Sequence, residues 1–153
     1  MKLDEIDKQI LNLLQDNAKI TNLELSKKIG ISPPAMLERV KRLEKKHLIK
    51  KYVAILNPDK LGKNIIGIIS VSLNAHQLNS IDSFTKQINK FDEVLECYHI
   101  AGEEDFILKI ITSSIKDVEE FLLKKLTKIP GVAKVNTKFV LSTVKCITKI
   151  NIE

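Results

Sequence analysis

The chain of 153 residues has no tryptophan, two cysteines, four prolines and five glycines, and aromatic residues make up only 5% of it. Cys97 and Cys146 are too few for a disulfide scaffold and lack the C-x-x-C spacing of a metal or redox site, so both are expected to be reduced packing residues on strands. His47, His76 and His99 stand far apart, without an H-x-x-x-H pair or an acidic neighbour at ligand spacing, and no metal is expected. Long hydrophobic runs are missing as well. Ile65 to Ile69 and Phe139 to Leu141 fall far short of the roughly 20 residues a membrane-spanning helix requires, so no membrane partner is expected. The first residues, MKLDEIDKQI, put acids where a signal peptide has its apolar core, which points to a cytoplasmic protein. There is no Ser-His-Asp order and no glycine-rich phosphate loop, so an enzyme is not expected either.

Arginine is the scarcest of the charged residues. Of 25 basic residues all but two are lysine, and both arginines, Arg39 and Arg42, lie in the stretch ISPPAMLERVKRLEKK. A guanidinium is a flat fork that grips two acceptors, where an ammonium is a mobile point charge. The charge is also unevenly placed. Residues 1 to 60 carry 13 Lys and Arg against 8 Asp and Glu, and residues 61 to 153 carry 12 against 11. That is a basic N-terminal part suited to a polyanion and a nearly neutral C-terminal part.

The N-terminal part reads as three helices. Asp4 can cap a helix with Ile6, Ile10, Leu13 and Leu14 on one face, ending near Asn17. Thr21 and Glu24 have capping-box spacing before a short helix with Leu25 and Ile29 inside, and Gly30 suits its left-handed end. Ser32 caps the third helix, with Pro33 in its first position. A short helix, a tight turn and a longer helix make a helix-turn-helix, and KKYVAILNP after it alternates enough to be a strand. With Val40 at the centre of the buried face of the third helix, Ala35, Glu38, Arg39, Arg42 and Lys46 fall on the opposite side. That is the face a helix-turn-helix lays in the major groove of double-stranded DNA. There Arg39 and Arg42 are the candidates for base edges or a clamped phosphate, Glu38 for cytosine, and Ala35 or Pro34 for a thymine methyl. Lys27, Lys28, Ser32 and Lys46 are assigned to the phosphate backbone.

After the linker NPDKLGKN, residues 57–64, strands alternate with helices. IIGIISVSLN is a strand, and Leu78, Ile81, Phe84, Ile88 and Phe91 stripe a helix over 77–91. VLECYHIA and FILKIIT are strands joined by GEED. Ser114 caps a helix whose stripe runs from Ile115 to Ile129, and Pro130-Gly131 turns the chain into a long last strand. The order βαββαβ is the ferredoxin-like arrangement, so the fold class is α+β: a winged helix-turn-helix domain (1–56) and a ferredoxin-like domain (65–153). One face of the sheet is left bare, apolar if strands such as Phe139 to Leu141 are representative, and at least a homodimer is expected.

The stretch LDEIDKQILNLLQDNAKITNLELSKKIGISPPAMLERVKRLEKKHLIKKYVAILNPDKLG closely resembles the DNA-binding half of the Lrp/AsnC (feast/famine) regulators. ECYHIAGEEDFILKI and IPGVAKVNTKFVLSTVK resemble that family's amino-acid-binding module. The resemblance covers essentially the whole chain. It implies a transcriptional regulator without a cofactor that dimerises through its ferredoxin-like domains, assembles further into octamers, and binds a free amino acid between dimers. By family correspondence the helix-turn-helix spans Asn22 to Lys41, and the effector loop is Gly102, Glu103, Glu104 and Asp105, with Thr137 and Ser142 as weaker candidates for the pocket wall. Gly102 would let a ligand approach the backbone, and Asp105 would pair with an α-ammonium. Glu104 stands where many members have an aromatic, which means either a preference for a basic effector or a solvated turn residue. Two functions remain at this point: a sequence-specific regulator whose assembly and DNA binding respond to an amino acid, and a nucleoid-type architectural DNA binder without effector control. The sequence does not choose between them, because both use the same basic residues.

Overall fold

A computed structural model of the chain describes residues 3–74 and 80–152. It divides into two compact units. The first is 1–55 together with 145–153, and the second is 56–144. The last nine residues, expected with the ferredoxin-like domain, therefore count with the helical one.

Three helices form the first unit: α1 (Glu5–Asp16), α2 (Asn22–Ile29) and α3 (Pro33–Lys45). Each begins where a side chain can satisfy an orphan amide. Asp4 accepts from the Asp7 amide at 2.7 Å. Thr21 and Glu24 close a capping box, the Thr21 amide donating to Glu24 at 2.8 Å and the Glu24 amide to Thr21 Oγ1 at 3.1 Å. Ser32 caps α3 from Ala35, ahead of Pro33 and Pro34. Gly30 ends α2 at φ 82°, as its position implied. The end of α3 has no glycine. There His47 takes the left-handed conformation at φ 56°, and the His47 and Leu48 amides return to Glu44 and Leu43. Ile10, Leu11, Leu25, Met36, Val40 and Leu43 are the buried core.

KKYVAILNP, expected to be a strand, has no strand pairing among the described residues. Val53, Ile55 and Leu56 are exposed, while the Tyr52 hydroxyl donates to Glu44 at 2.9 Å. Alternation alone does not make a strand where no neighbouring edge offers hydrogen bonds. The C-terminal segment, by contrast, docks on α1. The Gln15 amide donates to the Ile150 carbonyl at 3.1 Å and accepts from the Ile150 amide at 2.7 Å. Lys149 pairs with Asp16 at 2.6 Å, and Ile152 packs against the core.

In the second unit the order is β1 (Ile65–Leu73), α4 (Ser80–Ile88), β2 (Val94–His99), β3 (Phe106–Thr112), α5 (Ile115–Lys124) and β4 (Val132–Phe139). The four strands are antiparallel in the order β2-β3-β1-β4, the ferredoxin-like topology. The described part of α4 is shorter than the expected 77–91, and Leu78 lies outside the described residues. The stripe expected on one helix up to Ile129 is shared: α5 ends at Lys124, and a 3₁₀ turn over Leu126–Lys128 carries Leu126. Both helices cover one face, where Phe84, Ile88, Val118 and Phe121 meet Ile69, Val71, Phe106, Leu108 and Ile110. Phe84 and Phe106 lie 4.5 Å apart between ring centroids.

The register sets the composition of the other face. Ile66 pairs with Ile111, Ile68 with Lys109 and Lys138, and Ser70 with Ile107 and Asn136. The bare face is thus apolar at its centre through isoleucines. Phe139 and Leu141, the residues first taken to represent it, do not belong to it. Phe139 pairs with Gly67 on the helix-covered side, and Leu141 lies beyond the strand, fully exposed.

Gly67 is required for packing. A Cβ there would meet the Ile110 side chain at 2.9 Å. Gly67→Ala is expected to cost about 1–3 kcal/mol through overpacking, read as a lower urea midpoint with an unchanged slope. An unchanged midpoint would mean that Ile110 moves aside freely.

Candidate DNA interface and effector loop

The buried stripe of α3 is Met36, Val40 and Leu43. Its centre lies roughly 30° to one side of Val40 on the helical wheel, toward Met36 and Leu43. That rotation moves the solvent face. Pro34, Glu38 and Lys45 stand at its middle, Lys41 and Arg42 lie about 50° to either side and Ala35 farther out, all exposed, while Arg39 moves to the flank facing α1.

Both guanidinium groups are committed on that flank. Arg39 Nη1 donates to Asp4 Oδ2 at 2.6 Å and to Asp7 Oδ1 at 2.8 Å. Arg42 Nη2 donates to Asp7 Oδ1 at 2.8 Å and to Oδ2 at 2.7 Å. The Asp7 side chain is 4% exposed, against 25% for Arg39 and 44% for Arg42. The two arginines expected to read base edges or clamp a phosphate have their forks turned toward α1 here and hold α3 to it. A buried carboxylate needs several donors at fixed positions, and two planar forks supply them where mobile ammonium groups would not.

Asp4 serves twice, one oxygen capping α1 and the other holding Arg39. The Arg39 hydrogen bond, then the Asp7 amide, lowers the Asp4 carboxyl below its ordinary value of 3.8. Asp4 in turn raises the Arg39 guanidinium. Sequence reasoning named Asp4 only as a cap and missed Asp7. The signal was present: Asp7, Leu11 and Leu14 follow one helical stripe whose other members are apolar.

The remaining DNA candidates are open to solvent. Lys27 and Lys28 lie exposed on α2, Ser32 precedes α3 with its hydroxyl used as the cap, and Lys46 is exposed at the helix end. Lys41 and Lys45, not selected from the sequence, share the exposed face because the wheel turns toward them.

In the second unit the residues 101–105 connect β2 to β3. The Asp105 amide donates to the Val71 carbonyl at 3.0 Å, and the Leu73 amide donates to Asp105 Oδ2 at 2.6 Å. The carboxylate expected to meet an α-ammonium is thus anchored to the end of β1, at the irregularity between Ser72 and Leu73. Gly102 has open space around the position a Cβ would take, and its backbone is not left-handed. Glu103 is exposed and Glu104 half-buried. Thr137 is half-buried on β4 opposite Ile69. Ser142 lies past the end of β4, not on it, at the far end of the sheet from the loop, so one copy of the chain does not bring Ser142 and Asp105 together. Tyr98 faces the bare side and donates to Glu96 at 2.7 Å, with Lys109 on the same carboxylate at 3.0 Å. His99 stacks on Phe106 at 4.8 Å.

Both cysteines are exposed, and Cys146 lies in the C-terminal segment, so neither fits the packing role expected for strand residues. Among the described residues no group of His, Cys, Asp and Glu could hold a metal ion, and no helix is long and apolar enough to cross a membrane.

Asp7→Ala is expected to lower stability by about 3 kcal/mol, the low end for breaking a buried pair because both guanidinium groups keep some water. Urea unfolding measures it, and a loss under 1 kcal/mol would mean the cluster contributes little. Because folding lowers the Asp4 pKa, its contribution is complete above 3.8 and is lost as pH falls through the folded value. A carboxyl NMR titration should place Asp4 below 3.8 and return it upward in Arg39→Gln. Equal midpoints in the two proteins would exclude the Asp4–Arg39 pair.

Comparison with known proteins covers nearly all of the chain. Residues 3–50 match the model of the winged helix-turn-helix DNA-binding domain, and residues 66–150 match that of the Lrp/AsnC ligand binding domain. The chain is 40% identical over 151 residues to the transcriptional regulator AzlB of Bacillus subtilis (strain 168), covering 99% of this chain and 96% of that protein. To the leucine-responsive regulatory protein of Escherichia coli (strain K12) it is 36% identical over 143 residues, 94% of this chain and 87% of the relative. A transcriptional regulator from Neisseria meningitidis, solved as an L-Met complex, superposes with a TM-score of 0.93 at 31% identity, over 98% of this chain and 97% of that one. Escherichia coli AsnC does so at 0.89 and 26%, over 97% and 99%. These relatives are regulators rather than enzymes, and with both of its parts matched in order this chain belongs to the Lrp/AsnC family, DNA-binding transcriptional regulators that carry an amino-acid-binding domain.

Proposed function

We propose that the chain is a sequence-specific regulator whose assembly and DNA binding respond to a small amino acid. The observation that carries the reading is α3: a capped helix with one buried stripe, pinned at its α1 flank, and an opposite face of small, acidic and basic residues. Laid in a major groove, Ala35 and Pro34 would meet thymine methyl groups and Glu38 a cytosine amine, with Lys41 and Lys45 beside them. Lys27, Lys28, Ser32 and Lys46 would follow the phosphates. Two such helices in a dimer would address half-sites about 34–36 Å apart or a multiple of that.

The dimer would form through the bare face of the sheet, where Ile66, Ile68, Ile107 and Ile111 form an apolar centre of the kind a second copy covers. The effector would sit at Gly102–Asp105, against residues of another copy, since Ser142 and Asp105 lie at opposite ends of one sheet. Assembly of four such dimers into an octamer, and a site in the cytoplasm, follow from the same family reading. The L-Met bound by the Neisseria relative makes methionine the first effector to test. An effector acts on DNA binding only if its affinity differs between two assembly states.

Fluorescence anisotropy against a duplex from the protein's own upstream region and a scrambled duplex, at several salt concentrations, tests the reading. A preference of about 10³ or more that shifts with methionine or another amino acid is the expected result. Steep salt dependence with no preference would select the architectural alternative, and no binding to either would exclude both. Ile68→Asp is expected to give monomers by light scattering while the protomer stays folded, because Lys109 and Lys138 flank the new carboxylate. Dimers in that variant would place the interface elsewhere.

A further inference from the structure

We infer that Asp4 and Asp7 are specificity-determining positioning residues: they hold the Arg39 and Arg42 guanidinium groups against α1, away from the phosphates of a bound duplex. This inference rests on the DNA-binding role of α3.

The charges make the case. Two carboxylates meet two guanidinium groups, so the cluster is neutral and adds nothing to the attraction of α3 for a polyanion. On the exposed face of α3 that attraction comes from Lys41 and Lys45. Arg42 spends Nη2 on both oxygens of Asp7, and Arg39 spends Nη1 on Asp4 and Asp7 together. Both side chains are nevertheless partly exposed, at 25% and 44%, so they lie close enough to the surface to reach a phosphate once released. A phosphate contact carries no sequence information and raises affinity for every duplex alike. Holding the forks on Asp7 therefore lowers non-specific binding and leaves discrimination to the small and acidic residues at the centre of the face. The same bonds fix the rotation of α3, which decides that Glu38 and Lys45, and not Arg39, stand at that centre.

The test uses the full-length protein with Asp7→Asn and, separately, Asp4→Asn. Asparagine caps a helix as well as aspartate does, so the second variant keeps the start of α1. It keeps the Asp7 anchor too, so it folds even if the first does not. Each is titrated into the upstream and scrambled duplexes over a range of salt, with circular dichroism confirming the fold. For Asp7→Asn the scrambled duplex should bind about tenfold more tightly and the preference should narrow correspondingly. The slope of log K against log salt should steepen by about 0.9 for each guanidinium that reaches a phosphate. Asp4→Asn should change the same quantities in the same direction and by less, through Arg39 alone. A cluster that only supports the fold would weaken both duplexes with no steeper slope, and that result in the folded variants would overturn the inference. If Asp7→Asn does not fold, the slope of Asp4→Asn decides. Wild-type protein that binds neither duplex would remove the DNA-binding reading itself, which the unsubstituted control reveals before any variant is measured.

Discussion

The Asp7 carboxylate, almost closed to water, is the point on which the first unit depends. Hydrophobic packing of Met36, Val40 and Leu43 brings α3 onto its neighbours, but apolar contacts are tolerant of sliding and rotation. A buried anion is not tolerant, because losing a donor leaves charge without solvation. Asp7 accepts three hydrogen bonds from two forks one helical turn apart, and Asp4 adds a fourth while closing the end of α1. The packing drives association of the helices and the ion cluster selects one orientation of α3.

The second unit solves a different problem. A four-stranded sheet with helices on one side must do something with the other. Here Gly67 lets Ile110 and the helix-covered layer pack closely, while the isoleucines of β1 and β3 stand on the uncovered side between the Glu96, Tyr98 and Lys109 cluster and the lysines of β4. The loop that carries Asp105 is not loose, for its carboxylate and amide are both tied to β1. A ligand at that loop would meet a prepared backbone, with glutamates on its outer side.

Helix starts were legible because each rests on local chemistry: Asp4, Thr21 with Glu24, Ser32 before Pro33, and Ser114 all cap as their spacing implied. The order of strands and helices was legible for the same reason. What failed depended on distant partners. The KKYVAILNP segment alternates correctly but finds no edge to pair with among the described residues. The end of α3 is terminated by His47, a residue that no glycine rule selects. The arginines stood out by composition, yet their partners lie 32 to 35 positions earlier in sequence, and a helical wheel centred on the wrong residue hid them. Of the candidate site, the face of α3 was legible to within a fraction of a turn. Ser142 was not, because where β4 stops is decided by its pairing with β1.

The C-terminal segment returns to α1 through Gln15, Asp16 and Ile152 after the chain has completed the sheet. The helical unit is therefore discontinuous in sequence, and the ferredoxin-like unit is spliced into it, entered at 55/56 and left at 144/145. A fragment cut at the linker would lack the apolar side chain of Ile152 and the peptide group that Gln15 holds. The two units are therefore joined covalently at two places, 55/56 and 144/145, so separating them takes two cuts of the backbone rather than one.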